Sequence, residues 1–269
     1  MKKYRQGVIY VVSGFRQNYV EEVNLSIGSL LEHNPNMLIC VFVSDMSLNI
    51  DDRAQKIKID KPELSFFDKI YAISNSPFDY SVFLDTDTYV CDDLSDVFIM
   101  LDRFDVCLAI DPSSWKGYHS PGYSKKYGIP ESFPEFNTGV FAFRKSQEFS
   151  QLIELWTKFY HENSTSLDQP TFRVALYKSN VRICPLIQEY NLRVGSGPCC
   201  IQSGPKIFHA RLAKKQFINL RNKMSHPLLK GIRVAWIPTI GVRLLDFYIV
   251  RQKMRKVIRK MRELVSRRH

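Results

Sequence analysis

The first 45 residues alternate between strand-like and helix-like segments, and this alternation limits the folds open to the chain. Residues 8–12 (VIYVV) and 38–43 (LICVFV) are continuous apolar runs, which are typical of strands buried on both faces. Between them, residues 19–33 carry apolar side chains at helical spacing. A strand, a helix and a second strand in this order predict a parallel, doubly wound α/β sheet.

Later segments extend the same pattern. Residues 80–84, 104–110 and 139–143 are predicted strands, and residues 147–161 are a predicted helix. The stretch 111–134 is rich in Gly, Pro, Ser and Tyr and is predicted to be a long loop. Loops of this length inside a domain often form lids or substrate walls. Asp111, the first residue of this stretch, is expected either to line a substrate site or to begin a turn.

Two acidic residues, Asp85 and Asp87, directly follow the predicted strand at residues 80–84. In an extended segment, side chains two residues apart point the same way and lie about 6–7 Å apart. The carboxyl edge of an open α/β sheet is also where such folds bind ligands. Two carboxylates at this edge favour a divalent cation, in particular one that also binds phosphate oxygens. The alternative is a solvated turn in which Asp87 caps the next segment.

Further motifs carry a family resemblance. In chain order they are Tyr19, Lys69, FLDTDTYV with the two acids, FNTGVFAF from Phe136, the pair Asp168-Gln169, and FHA at His209. In order and spacing these motifs resemble the GT-A glycosyltransferases, most closely the glycogenin-like retaining enzymes of family 8. The resemblance covers residues 8–215. It implies a Rossmann-like, mainly parallel sheet flanked by helices, here with a C-terminal helical extension.

The resemblance also implies roles for particular residues. Asp168 and Gln169 are expected to be catalytic, the first holding donor-sugar hydroxyls and the second lying near the anomeric carbon. Asp85, Asp87 and His209 are expected to bind the metal, which is Mn²⁺ with Mg²⁺ as the alternative. The implied donor-binding residues are Val12, Ser13, Gly14, Tyr19, Lys69, Asp85, Thr86, Asn137, Thr138, Gly139, Lys214 and Lys215.

Some of these residues also have an ordinary structural interpretation. A lone His209 after apolar residues is usually a core or capping side chain, and Asn137 is consistent with a simple turn. Lys215 falls six residues after His209, where the family has a diphosphate-binding lysine. However, Leu212 and the residue after Lys215 replace the glycine and proline of the family motif. The adjacent Lys214 is therefore the alternative phosphate ligand.

The net charge of +11 is concentrated at the C-terminal end. Residues 216–269 hold 14 Lys and Arg against 2 Asp and Glu, whereas residues 1–215 hold 24 against 25. We therefore divide the chain into a catalytic domain, 1–215, and a basic extension, 216–269. Residues 247–268 interleave basic and apolar side chains at helical spacing, a pattern typical of helices on anionic membranes. The alternatives are a helix docked on the catalytic domain, a dimerisation helix and RNA binding.

Location is indicated by composition. The apolar run at residues 8–12 is too short for a signal peptide, and no segment reaches the ~20 apolar residues of a membrane span. Six cysteines without a Cys-x-x-Cys pair suit a reducing compartment. We expect a cytoplasmic protein that is peripheral on the membrane. The acidic balance of residues 1–215 indicates no nucleic-acid partner, and the oligomeric state is left open.

The sequence thus predicts a metal-dependent glycosyltransferase that moves a sugar from a nucleotide sugar, expected to be a UDP-sugar, to a glycan or glycolipid. Configuration at the anomeric carbon is expected to be retained. One alternative is a sugar-1-phosphate nucleotidyltransferase, but residues 8–20 lack the Gly-rich phosphate loop of that class. The other is a non-catalytic sugar-nucleotide or membrane-binding protein.

Overall fold

A computed structural model describes residues 5–14, 18–111, 122–163, 167–194, 199–201, 204–224, 234–237 and 241–244. The strands, in chain order, are β1 (Gln6–Val12), β2 (Ile39–Val43), β3 (Gln55–Lys58), β4 (Tyr80–Leu84), β5 (Thr88–Val90), β6 (Val106–Ile110), β7 (Phe136–Arg144), β8 (Ile183–Leu186), β9 (Leu192–Arg193), β10 (Cys199–Ile201), β11 (Ile207–His209), β12 (Val234–Ile237) and β13 (Gly241–Leu244). The helices are α1 (Asn18–His33), α2 (Phe67–Ser74), α3 (Ser95–Met100), α4 (Tyr123–Tyr127), α5 (Gln147–Glu162), α6 (Gln169–Lys178) and α7 (Lys214–Met224).

Seven strands form the main sheet in the spatial order β3-β2-β1-β4-β7-β6-β8. Its strand pairs are parallel except for those of β7, which runs antiparallel to both β4 and β6. The predicted α/β class with a mainly parallel sheet is therefore confirmed. All five predicted strands overlap strands of this sheet, and the two predicted helices coincide with α1 and α5.

Helices cover both faces of the main sheet because alternate strand residues point to opposite sides. Val8, Tyr10 and Val12 of β1 belong to the apolar layer that includes the buried face of α1. Ile9, between them, belongs to the opposite layer, which includes Trp156 of α5. Strands buried on both faces explain the continuous apolar runs of the sequence.

The predicted loop at residues 111–134 contains the short helix α4, and residues 112–121 lie outside the described part of the chain. The helix α5 begins where predicted because Ser146 caps it. The Ser146 hydroxyl accepts a hydrogen bond from the backbone N–H of Phe149 at 3.1 Å. Such a cap satisfies one of the backbone donors left open at a helix N-terminus.

A small second sheet, of order β5-β11-β9, extends the structure next to the carboxyl end of β4. Strand β11 runs antiparallel to β5 and parallel to β9. Its apolar side packs on α7, where the rings of Tyr89 and Phe217 stack with their centroids 4.7 Å apart. Phe208 of β11 completes this cluster, which packs the second sheet against α7.

The predicted division at residue 215 falls within α7, which spans residues on both sides of it. The extension is not helical throughout, because β12 and β13 lie within it and β12 pairs with β10 in a third sheet. The membrane-binding segment predicted at residues 247–268 lies outside the described residues. The division into two domains stays a prediction.

Among the described residues, no helix has the length and apolar character needed to cross a bilayer. Among the cysteines whose side chains the structure describes, Cys40, Cys91, Cys107 and Cys184 are buried free thiols and Cys200 is an exposed one.

Candidate active site

The end of β4 and the start of β7 bring two of the predicted motifs together. Leu84, the last residue of β4, pairs with Val140 of the antiparallel β7. One step further, the backbone N–H of Asp85 donates to the carbonyl of Gly139 at 2.8 Å. The acids that follow β4 therefore lie beside the Asn-Thr-Gly segment that opens β7. This position is the carboxyl edge of the parallel strands, where the sequence predicted a site.

His209 joins the two acids through the second sheet. It ends β11 and pairs with Thr88 of β5, the residue that follows Asp87. The His209 Nε2 atom lies 3.4 Å from Asp87 Oδ1 and 3.6 Å from Asp85 Oδ2. One ligand atom from each of the three residues lies within 4.8 Å of the others. Two carboxylates and an imidazole at this spacing are suited to hold a divalent cation.

The orientation of the His209 ring is set by hydrogen bonds on its far side. Its Nδ1 lies 2.9 Å from Oδ1 of Asn191, and Asn191 Nδ2 donates to Asn137 Oδ1 at 2.8 Å. Asn137 Nδ2 in turn donates to Asp111 Oδ2 at 3.1 Å. The Asp111 carboxylate can only accept hydrogen bonds, so the group of Asn137 that faces it is the NH₂ group. The Asn137 oxygen then accepts from Asn191 Nδ2, and the Asn191 oxygen accepts from the Nδ1–H of His209. Because the proton on Nδ1 is held by Asn191, Nε2 is the ring nitrogen that faces Asp85 and Asp87 and would bind a metal once it is free of a proton.

Gln169 is held by three neighbours at the first turn of α6. Its Nε2 donates to Glu135 Oε1 at 2.7 Å and to Asp111 Oδ2 at 3.3 Å. Its Oε1 accepts from Asn137 Nδ2 at 3.1 Å. Asp111 itself is buried and pairs with Arg193 Nη1 at 3.4 Å. These contacts fix the Gln169 amide in one orientation at the cavity wall.

Lys69 forms ion pairs with both Asp85 and Asp168. Its Nζ lies 3.0 Å from Asp85 Oδ1 and 3.1 Å from Asp168 Oδ2. Thr138 Oγ1 donates to the same Asp168 oxygen at 2.7 Å. Burial alone would lower the pKa of Lys69, but the charges of Asp168 and Asp85 outweigh it and raise that pKa. The ammonium therefore stays protonated and balances two neighbouring carboxylates.

The turn that precedes α2, the helix that carries Lys69, contains a residue in an unfavourable backbone conformation. The Asp68 carboxylate accepts backbone hydrogen bonds from Glu63 at 2.9 Å and Leu64 at 3.0 Å. Leu64 adopts φ of 54°, in the left-handed region that a branched side chain rarely enters. Leu64 lines the cavity next to Lys69. Such conformations concentrate at functional sites.

Asp87 is ionised despite its burial. Burial raises the pKa of Asp87, but its hydrogen bond with His209, the charge of His209 and the nearby charge of Arg211 together outweigh this and lower it. Arg211 Nε lies 3.5 Å from Asp87 Oδ2. Asp87 thus offers an anionic ligand to a cation across the ordinary pH range.

These groups line one cavity of about 540 Å³, a size typical of small-molecule sites. Most of the predicted residues line it: Ser13, Gly14, Tyr19, Lys69, Asp85, Thr86, Asp87, Asn137, Thr138, Asp168, Gln169 and His209. The structure therefore brings together residues from six predicted motifs.

Four predicted donor-binding residues do not line this cavity. Val12 is buried in the core, and its neighbour Val11 lines the cavity instead. Gly139 lies behind the wall, where a Cβ would overlap both His209 and Asp85. Lys214 Nζ pairs with Glu32 of α1 at 3.1 Å, and Lys215 is exposed on α7. 

Sequence reasoning missed several residues of the site. Arg193 and Arg211 line the cavity, as do the apolar residues Leu64, Phe66 and Leu167. A signal for Arg211 existed, because it lies two residues after the predicted ligand His209, the spacing of neighbours on one side of an extended segment. Asn191 had no such signal, since its role depends on pairing between strands.

Solved glycosyltransferase structures share this architecture. The galactosyltransferase LgtC, in complex with donor and acceptor sugar analogues, gives a TM-score of 0.55 at 12% identity, covering 81% of this chain and 96% of LgtC. The bifunctional glycosyltransferase WbbM in its apo form gives 0.56 at 16% identity, covering 79% and 46%. Mouse xyloside xylosyltransferase 1, also apo, gives 0.50 at 12% identity, covering 77% and 97%.

The fold is therefore the GT-A glycosyltransferase fold, as the sequence motifs predicted. No protein-family model matches the chain. No curated protein matches it at a significant level. The GT-A fold is thus confirmed, and the finer assignment to family 8 stays a prediction.

Proposed function

We propose that this protein is a metal-dependent glycosyltransferase that moves a sugar from a nucleoside diphosphate donor to an acceptor hydroxyl. The observation that carries the proposal is the meeting of Asp85, Asp87 and His209 with Lys69 and Asp168 in one cavity of a GT-A sheet. Transfer from such a donor needs a cation for the leaving diphosphate and polar groups for the sugar. This cavity contains candidates for both.

The metal ligands would be Asp85, Asp87 and His209. Oxygen ligands with one imidazole favour Mn²⁺ over Ca²⁺, and Mg²⁺ is the alternative. When bound, the ion supplies positive charge to the diphosphate oxygens as the bond to the sugar breaks. Asn191 keeps Nε2 of His209 directed at the acids, and Lys69 forms an ion pair with Asp85 beside it.

Asp168 is suited to bind hydroxyls of the donor sugar. Lys69 and Thr138 hold one of its oxygens, so its carboxylate has a fixed position on the cavity wall. Polar groups satisfied only by the matching sugar reject analogues that lack the hydroxyl. Asn137 lies on the same wall, and a sugar hydroxyl would share one of the hydrogen bonds that Asn137 now makes with Asp111 or Gln169.

Gln169 is suited to position groups near the anomeric carbon, because its amide is already held by Asp111, Glu135 and Asn137. An amide is a poor nucleophile. We therefore propose attack by the acceptor hydroxyl on the same face that the diphosphate leaves, with retention of configuration, as the resemblance to family 8 implies. The donor nucleotide we propose is a UDP-sugar. The complex of LgtC with donor and acceptor sugar analogues supports a nucleotide-sugar donor and a glycan acceptor.

The basic segment at residues 247–268 suggests where the acceptor is located. We propose that it holds the enzyme on the anionic cytoplasmic face of a membrane, where a lipid-linked glycan can serve as acceptor. The concentration of charge after residue 215 supports this, since each basic residue near an anionic bilayer is worth about 1 kcal/mol. In this proposal, residues 1–215 form the catalytic unit and residues 216–269 the extension.

A screen of nucleotide sugars tests the function. Each would be incubated with the full chain and MnCl₂ or with chelator, and the released nucleoside diphosphate measured. We expect metal-dependent release from a UDP-sugar. Pyrophosphate release from a nucleoside triphosphate and a sugar-1-phosphate would establish the nucleotidyltransferase alternative. A chain that binds sugar nucleotides but releases nothing, with or without acceptor glycans, would be the non-catalytic alternative.

A further inference from the structure

The guanidinium of Arg211 lies on the cavity wall beside Asp87, one of the three candidate metal ligands. Arg211 Nε is 3.5 Å from Asp87 Oδ2 and 3.5 Å from Glu22 Oε1. The guanidinium also lies over the ring of Tyr19, 5.6 Å from its centroid. Arg211 lines the cavity with its side chain 51% exposed, so a ligand in the cavity can reach it.

The lysines that the resemblance assigns to the diphosphate do not line the cavity. The chain leaves β11 at His209 and enters α7 at Lys214, so the position six residues after the histidine is helical. Lys214 Nζ pairs with Glu32 Oε1 at 3.1 Å, with its side chain 55% exposed, and neither it nor Lys215 lines the cavity. The phosphate charge must therefore be met from another part of the site.

The other cavity cations among the described residues are less accessible to a ligand, because the side chain of Lys69 is 5% exposed and that of Arg193 26%, against 51% for Arg211. Lys69 balances Asp85 and Asp168, and Arg193 pairs with Asp111. Arg211 forms an ion pair with Glu22, and Glu22 also accepts a hydrogen bond from Thr86 at 3.0 Å. The half-exposed guanidinium of Arg211 therefore lies in the cavity next to Asp87, one of the candidate metal ligands.

We infer that Arg211 binds the donor diphosphate, in the place of the lysine that the family resemblance assigned. This inference rests on the proposed function and names a further binding residue of the same site. A guanidinium binds phosphate oxygens through two parallel N–H bonds, and its planar group is held here between Tyr19 and Glu22. On nucleotide binding, Arg211 would exchange its contact with Asp87 for one with phosphate, and Asp87 would be left to hold the cation.

Titration calorimetry with the full chain tests the assignment. UDP, GDP, ADP and CDP would each be titrated in MnCl₂ against the wild type. For the nucleotide that binds, we expect Arg211→Ala to weaken affinity by about tenfold or more, the effect of one charged hydrogen bond. Arg211→Lys should retain only part of the nucleotide affinity that Arg211→Ala loses, because an ammonium lacks the planar fork of a guanidinium. Lys214→Ala, Lys215→Ala and the control Lys223→Ala should stay within about twofold.

Titration of MnCl₂ alone separates ligand binding from a merely structural role. Removing a positive charge near Asp87 favours the cation, so Arg211→Ala should bind Mn²⁺ at least as tightly as the wild type. A distorted site would lose both metal and nucleotide affinity, and that result would overturn the inference. Unchanged nucleotide affinity in Arg211→Ala, or a larger loss in a lysine variant, would also overturn it. If the wild type binds none of the four nucleotides, the proposed function fails with it.

Discussion

The Nδ1 atom of His209 lies 2.9 Å from Oδ1 of Asn191, on the side of the ring opposite the two acids. This one hydrogen bond decides which ring nitrogen is available to a metal. Asn191 is itself oriented by Asn137 and, through it, by Asp111. A buried chain of amides therefore determines the chemistry of a residue at the cavity surface.

The tautomer of His209 can be measured directly. In the metal-free protein labelled with ¹⁵N-histidine, we expect NMR to show His209 protonated on Nδ1, with His209→Gln assigning the signal. Asn191→Leu should shift the proton towards Nε2 and weaken Mn²⁺ binding by about 10–100-fold, as for other supporting partners of metal ligands. Asn191→Asp, which keeps the acceptor, should keep the tautomer. An unchanged tautomer in Asn191→Leu would refute this role.

Gly139 is expected to tolerate no side chain. A Cβ there would overlap His209 and Asp85, so Gly139→Ala should displace two metal ligands and abolish measurable Mn²⁺ binding. Gly28→Ala is the matched control, because a Cβ on α1 at that point meets nothing within 4 Å. It should raise stability by up to about 1 kcal/mol through helix propensity. Calorimetry and thermal unfolding check both, and normal metal affinity in Gly139→Ala would contradict the site geometry.

Asp87 is the carboxylate we expect to matter most for the metal. Asp87→Asn keeps the volume but removes the anionic ligand, so both Mn²⁺ binding and sugar-nucleotide turnover should be lost while the fold remains. Asp52→Asn, at an exposed position, is the control and should behave as the wild type. Full activity of Asp87→Asn, or of the wild type in chelator, would exclude the metal mechanism.

Asp168 should affect the reaction far more than nucleotide binding. Asp168→Asn removes the charged acceptor for sugar hydroxyls, and we expect transfer to fall about 100-fold or more, as for interactions made only in the transition state. UDP affinity should remain nearly unchanged. If UDP affinity falls by the same factor, Asp168 belongs to the nucleotide pocket rather than to the sugar site.

The basic extension is predicted to bind anionic membranes. The full-length protein should sediment with anionic liposomes, less at high salt, and not with neutral ones, because the attraction is screened within a Debye length. A chain ending at Leu245 should stay in the supernatant and still release the nucleoside diphosphate from its donor. If truncation instead unfolds the enzyme, the segment is a docked structural helix. If the full-length protein ignores anionic liposomes at low salt, the membrane proposal is wrong.

Local sequence was sufficient for five of the seven strands of the main sheet and for the position of the two acids. The apolar run that ends at Leu84 had to be a buried strand, so Asp85 and Asp87 had to emerge at its end. Asp168 and His209 were placed in the site only through motif resemblance. No spacing rule joins residues so far apart in the chain, because their proximity depends on which strands pair.

Tertiary structure alone decided which cation faces the cavity. In sequence, Arg211 and Lys215 are equally plausible neighbours of His209. The packing of Phe217 against Tyr89 draws α7 onto the second sheet, and Lys214 is then directed at Glu32 while Arg211 remains beside Asp87. The same holds for Asn191, whose contact with His209 follows from the pairing of β9 with β11. Side-chain direction at a strand end is set by where the next element packs, and that depends on the whole fold.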